Sequence, residues 1–228
     1  MKLNVNSPLY VIGYAAGVSA VFTAVVVSLQ VATAGRIARN EALREERALV
    51  EVFGLADDVN ALSAEQCAEL VRARIDRSQT VRDPETGREF HLFRAYRTAA
   101  KAELTAVGFD VGGNGFWAPI RGLMALTPDL GQVVGVVFLD HKETPGLGGR
   151  ITEAAFQDAF RGISVSPPGG DAKFLYVEKD RPESPQDPRW GRTVDAITGA
   201  TQTSMAVARF LNANLVQFRR AMAADTAR

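Results

Sequence analysis

Residues 193–204, TVDAITGATQTS, set five side-chain hydroxyls, on Thr193, Thr198, Thr201, Thr203 and Ser204, around the small pair Gly199-Ala200. A run with helical spacing follows at once. The first-turn N–H groups of a helix lack intrahelical partners and lie at the positive end of its macrodipole, so a phosphate is well placed there. Gly199 and Ala200 leave the backbone open to a close approach. The hydroxyls of Thr201, Thr203 and Ser204 could donate to phosphate oxygens, or one could be esterified by phosphate. An ordinary hydroxyl cap would use the same residue types.

A second stretch, HKETPGLGGR at 141–150, carries three glycines and a proline. A loop of this kind lets a planar ligand come near the backbone around Gly146, with Leu147, read as a buried leucine, for apolar contact and Glu143 and Thr144 for polar contact. It is neither a dinucleotide fingerprint nor a P-loop, because no G-x-G-x-x-G opens a helix and no G-K-[ST] occurs. A hydrolase built on His141 would need a nucleophile elbow, and no G-x-S-x-G is present. The two histidines, His91 and His141, are too far apart in sequence to argue for a metal. Cys67 is single, so no intrachain disulfide or cysteine metal framework exists. It falls at helical spacing with Ala64, Leu70 and Val71 behind a Ser63/Gln66 capping box, the pattern of a buried structural thiol.

The elements that position these stretches follow from patterning. Between Lys2 and Arg36 lie 33 residues without a charge, and Leu9–Leu29 within them is nearly all apolar. About 20 such residues cross a bilayer as a helix. A cleaved signal peptide is the rival reading, since Ala32-Thr33-Ala34 resembles its cleavage site, but the apolar run exceeds the roughly 7–15 residues of such a peptide. An amphipathic helix is expected from Arg36 to a stop at Gly54, and another over about residues 64–75. The strand-like REFHLFRAY comes next. Residues 115–126 and 132–143 flank the turn TPDLG and should form an antiparallel hairpin. Its open ends would bring Phe116 and Trp117 beside Glu143 and Thr144. KFLYVEK at 173–179 reads as a strand and residues 151–163 as a helix. VDAI at 194–197 is a short strand, and Thr201 to Ala223 is a final helix with Val207, Leu211, Leu215, Phe218 and Met222 on one stripe. Strands and helices do not alternate regularly, so the fold class is α+β: one N-terminal transmembrane helix and a mixed domain with an antiparallel sheet. The expected divisions are an anchor at 1–35, a helical connector at 36–80 and the ligand-binding domain at 81–228.

Lysines and arginines balance aspartates and glutamates at 26 each. No net field favours nucleic acid, and no basic stripe interleaves with aromatics. Arg36, Arg39, Arg44 and Arg47 follow the apolar span against Lys2 before it, which points mildly to a domain on the cytoplasmic side.

GFWAPIRGLMAL, HKETPGLGG and DAITGATQTS, in that order behind one apolar span, resemble a family of FMN-binding subunits of redox-driven ion pumps. Its members are the C subunit of the sodium-translocating NADH:quinone reductase and the G subunit of the Rnf complex. The resemblance covers the chain from Leu9 to about Phe218, and the hairpin and Gly-rich loop are closer to the reductase form. It implies FMN attached by a flavin transferase through a phosphoester to the threonine after alanine, here Thr201, within a motif running from Asp195. Where the family often has serine, this chain has Thr198. The resemblance further implies electron transfer among other subunits of a complex in the bacterial inner membrane, with the domain outside the cytoplasm. That side is preferred to the charge count, because mixed flanking charge is a weak topology signal. A flavin carrier needs no acid, base or nucleophile from its own protein, so no catalytic or metal-binding residues are assigned. Trp117 and Leu147 are expected to flank the ring, forming an apolar slot, and Glu143 and Thr144 to meet its polar edge. A membrane-anchored module binding a free ligand without redox chemistry is the remaining alternative. A flavin spectrum would separate the two.

Overall fold

The computed structural model describes residues 7–166 and 173–226, so Lys2 lies outside the described residues. Two compact units divide the chain, Met1–Leu43 and Arg44–Arg228. A single helix, α1, runs from Pro8 to Val52. The apolar span and the amphipathic segment after it, expected as two helices, are therefore continuous. Gly35 does not break the helix, because good helix formers flank it and one glycine costs only about 1 kcal/mol. The helix does stop before Gly54, which takes a left-handed φ of 59°. In the first unit the apolar side chains are exposed, from Leu9 to Val31. An 18-residue window there has a mean hydropathy of 2.0, enough in length and composition to cross a membrane.

The second unit is built on a five-stranded antiparallel meander in the order β1-β2-β3-β4-β5. The strands are β1 (Ile75–Arg82), β2 (Glu89–Tyr96), β3 (Leu104–Asn114), β4 (Pro119–Leu126) and β5 (Val133–Asp140). Before β1 comes α2 (Ala64–Arg74), opened by the Ser63/Gln66 capping box. Residues 75–80, read as part of a helical connector, form most of β1. That strand is mostly solvent-exposed and polar, and it is bulged between Asp76 and Gln79, so it carries no clean alternation. Strand β3 carries no strand pattern in its composition, because AVGFDVGG within it has three glycines.

Both sheet faces are covered, which is why β4 is buried nearly without interruption. One face packs the end of α1 and α2, with Leu49, Phe53 and Cys67 against Phe93, Leu123 and Val137. The other packs α4 (Thr201–Thr226), with Phe90, Phe109 and Met124 against Val207, Leu211 and Phe218. The expected helix over 151–163 is shorter: a 3₁₀ turn at Gly148–Thr152 leads into α3 (Ala154–Asp158). Phe156 and Phe160 reach the core all the same. Strand β6 (Tyr176–Glu178) pairs in parallel with β7 (Thr193–Asp195), and Ala196 leads out toward α4.

α4 is tied to the β1–β2 turn through Asp83, which is fully buried. Asp83 accepts from Thr86 Oγ1 at 2.6 Å, the Glu85 amide at 3.3 Å and Arg220 Nη2 at 2.9 Å. Burial alone would raise its carboxyl pKa, but those donors outweigh burial and hold it below the ordinary 3.8. The stability this gives is present above pH 3.8 and lost as pH falls through the lowered folded value. Asp83→Asn should therefore lower the melting midpoint at neutral pH and flatten its acid dependence. An unchanged acid limb would refute this.

Candidate functional site

An open cleft of about 370 Å³ is lined by residues from three places in the chain: Phe116 and Trp117; Glu143, Thr144, Leu147 and Gly148; and Gly199 to Thr203. Each arrives by a simple local cause. The β3–β4 turn carries Phe116 and Trp117, with Asn114 paired to Pro119 and the Gly115 amide donating to the Ala118 carbonyl at 2.9 Å. The β4–β5 register, Arg121 opposite Asp140, brings the continuation of β5 back beside that turn. This is the meeting of hairpin ends that the sequence predicts, although Gly115–Ala118 is turn rather than strand.

The Gly-rich segment folds as a turn closed by the Leu147 and Gly149 amides, which both donate to the Thr144 carbonyl, at 3.1 and 3.0 Å. Gly146 supplies the φ of 74° that this turn requires and does not itself line the cleft. Gly199, at φ 81°, turns the chain from β7 into α4. A Cβ on Gly199 would lie 3.2 Å from Leu147 Cδ2, so the two segments touch because that position is glycine.

The hydroxyl cluster divides by role. Ser204 is buried, and its Oγ accepts from the Ile197 amide at 3.0 Å. Thr203 is buried, and its Oγ1 donates to Glu143 Oε2 at 2.6 Å. Thr193 is buried and donates to the Arg189 carbonyl at 3.0 Å. Thr198 and Thr201 are exposed, and of these Thr201 lines the cleft. Among the described residues neither its hydroxyl nor its amide is engaged, and the amides of Gln202 and Thr203 are likewise unengaged, as a first helical turn leaves them.

Several expectations need correction. Leu147, read as buried, is 45 % exposed on the cleft wall, because Gly146 and Gly148 turn it outward. Trp117 is 66 % exposed and Phe116 54 %, so the expected apolar slot is an open wall rather than an enclosed one. The two rings pack edge to face, centroids 4.9 Å apart. Glu143 does not present its carboxylate to the cleft as a free polar edge. It is buried and accepts from the Phe116 and Trp117 amides through Oε1, at 2.9 and 3.1 Å, besides the Thr203 hydroxyl. Asp195 stands apart from the cleft, ion-paired to Arg181 at 2.7 Å. Phe116, Gly148 and Gln202 line it without having been singled out as binding residues. The adjacency of Phe116 to Trp117 in the sequence was the available signal for Phe116.

Residues 115–216 match the family model described as the FMN-binding domain. The C subunit of the Na(+)-translocating NADH-quinone reductase of Pseudomonas aeruginosa is 31 % identical over 117 residues, 51 % of this chain and 44 % of that protein. The G subunit of the ion-translocating oxidoreductase complex of Cereibacter sphaeroides is 34 % identical over 129 residues, 56 % of this chain and 53 % of that one. The chain thus spans about half the length of the curated relatives it matches. The solved C subunit of the Na(+)-translocating NADH-quinone reductase from Parabacteroides distasonis superposes with a TM-score of 0.66, at 20 % identity, over 81 % of this chain and 94 % of that one. Shewanella oneidensis NqrC gives 0.56 at 21 %, over 74 % and 91 %. At such identities the superpositions establish the fold: an α+β domain around an antiparallel sheet. The stretch that builds the whole cleft lies within residues 115–216, which match the FMN-binding domain model, in a chain similar over about half its length to the C and G subunits of the complexes just named.

Proposed function

We propose that this protein is a membrane-anchored flavoprotein subunit that carries FMN covalently on Thr201 and relays electrons within a sodium-translocating NADH:quinone reductase. The observation that carries this is the cleft itself: an unengaged hydroxyl on the first residue of α4 faces, across Gly199 and Leu147, a wall of two exposed aromatic rings. Its volume of about 370 Å³ lies in the range of small-molecule sites, roughly 300–1,000 Å³. The donor chemistry also suits the group. First-turn amides and the helix dipole favour a phosphate, and apolar and aromatic side chains favour a planar ring.

Bound FMN would supply reversible electron transfer. The chain's own residues bind and orient. Thr201 would hold the phosphate as an ester, Thr144 and the Gly199-Ala200 backbone would border it, and Trp117 and Leu147 would flank the ring. Attachment needs an activated flavin donor, a flavin nucleotide pyrophosphate, and a flavin transferase. In that attachment Thr201 Oγ1 would take the flavin phosphate in place of its hydroxyl proton, with the nucleoside monophosphate as leaving group and the proton going to a base of the transferase. Residues 1–35 would serve as anchor and 81–228 as the flavin domain, with the expected connector 36–80 supplying that domain with the end of α1, α2 and most of β1, in the inner membrane with other subunits as neighbours and the flavin domain outside the cytoplasm. A second reading is the G subunit of an ion-translocating oxidoreductase complex. It is favoured by the larger share of that relative covered, 53 % against 44 % for the reductase relative.

The test is mass spectrometry of the tryptic peptide 193–209 from protein made together with its transferase. It should carry the mass of FMN less one water on Thr201, and an unmodified peptide would end the reading. Protease added to intact spheroplasts should cut within residues 44–228. Full protection there would reverse the orientation. Leu147→Ala should leave attachment intact and shift the flavin absorption. Because Leu147 is 45 % exposed, its truncation should cost well under the ~2–5 kcal/mol of a buried leucine. An unchanged spectrum would remove Leu147 from the ring contacts.

A further inference from the structure

We infer that Glu143 is a positioning residue for Thr201: its buried carboxylate fixes the Phe116–Trp117 turn against the first turn of α4 and so sets the gap between the aromatic wall and the acceptor hydroxyl. The inference rests on the proposed attachment at Thr201 and deepens it. Glu143 is 4 % exposed. Its Oε1 accepts from the amides of Phe116 and Trp117, and its Oε2 from the Thr203 hydroxyl at 2.6 Å. One carboxylate therefore joins three segments that are distant in sequence.

The residue is itself held. Its amide donates to His141 Nδ1 at 3.2 Å. Two glycines keep space for its oxygens: a Cβ at Gly115 would come within 2.5 Å of Oε1, and one at Gly148 within 2.8 Å of Oε2. A buried carboxylate is costly unless its lone pairs are met, and three donors meet these. The bonds act in both directions, since each donor is also held where the carboxylate places it.

Thr203 shares the first turn of α4 with Thr201, so whatever anchors one anchors the other. With both oxygens engaged by the protein, Glu143 acts on the flavin site through its neighbours rather than by touching the ring. Such a bracket would matter most to the attachment reaction, where a small displacement of the attacking hydroxyl has a large kinetic effect.

The test uses the full chain with its flavin transferase and flavin adenine dinucleotide as donor. Thr203→Val removes the donor while keeping the shape, Thr203→Ser restores the hydroxyl, and Glu143→Gln removes the charge. The rate of flavin transfer, the visible circular dichroism of attached flavin and the melting midpoint are measured for each. Thr203→Val and Glu143→Gln should slow transfer by about ten- to hundredfold and alter the dichroism while still folded at the assay temperature. Thr203→Ser should recover both. If Glu143→Gln does not fold, the two Thr203 variants carry the comparison. Native rate and dichroism in Thr203→Val, or a defect that serine does not rescue, would overturn the inference. A native chain that takes no flavin at Thr201 would instead refute the attachment, and this inference with it.

Discussion

Thr201→Ala is expected to give a folded, colourless protein when made together with the flavin transferase. The expectation follows from which hydroxyls in the cluster are free. Thr203 and Ser204 are buried and committed to Glu143 Oε2 and the Ile197 amide, and Thr193 is committed to the Arg189 carbonyl. Esterifying Thr203 would remove the proton it donates to Glu143, and Ser204 is only 1 % exposed, which leaves no room for a phosphate on it. Thr201 is exposed on the cleft, and alanine favours a helix, so its replacement should change stability by no more than about 0.5 kcal/mol. Thr198 is the other exposed hydroxyl nearby, and fragmentation of peptide 193–209 tells the two apart. Covalent flavin persisting in Thr201→Ala, or mapped to Thr198, would defeat the assignment. Loss of flavin together with loss of fold would show that Thr201 serves α4 rather than the cofactor.

The final helix, the hairpin and the Gly-rich loop could be read from the sequence because each carries its own local signal. The stripe of Val207, Leu211, Leu215 and Phe218 has the helical period and is buried as that period requires. TPDLG closes the hairpin, and the hairpin alone predicts that the Phe116–Trp117 turn meets Glu143. What could not be read depends on tertiary surroundings. β1 is a polar edge strand, recognisable only once β2 supplies its partner. In β3 a glycine occurs where a side chain would meet a neighbour: a Cβ on Gly108 would lie 2.5 Å from Phe53 Cζ. Composition therefore reads as loop where packing makes strand. The role of Glu143 was missed for the same kind of reason. An acidic residue in a Gly/Pro loop is usually solvated, and only the fold shows that two amides and a hydroxyl converge on it.

Phe218→Ala should cause the largest loss of stability of any substitution considered, about 3–5 kcal/mol for a fully buried phenylalanine. Phe218 has no exposed surface and joins α4 to the sheet through aromatic contacts on two sides. Its ring stacks on Phe109 with centroids 3.8 Å apart and planes 7° apart, and meets Phe90 edge to face at 5.7 Å. Both partners are themselves fully buried, so little nearby can move in to fill the space. Against a typical net stability of about 5–15 kcal/mol, the variant should unfold at a markedly lower urea midpoint, read by near-ultraviolet circular dichroism of the full chain in detergent. Thr201 lies at the other end of the same helix, whose first turn is bound independently through Thr203 and Ser204. At low temperature, where the variant is still folded, flavin should therefore attach at Thr201 with its native spectrum. A urea midpoint within about 1 kcal/mol of the native protein's equivalent would show that α4 is not fastened by this cluster. A changed flavin spectrum in the folded variant would show that the cleft is set by the far end of α4 and not by the bracket at its first turn.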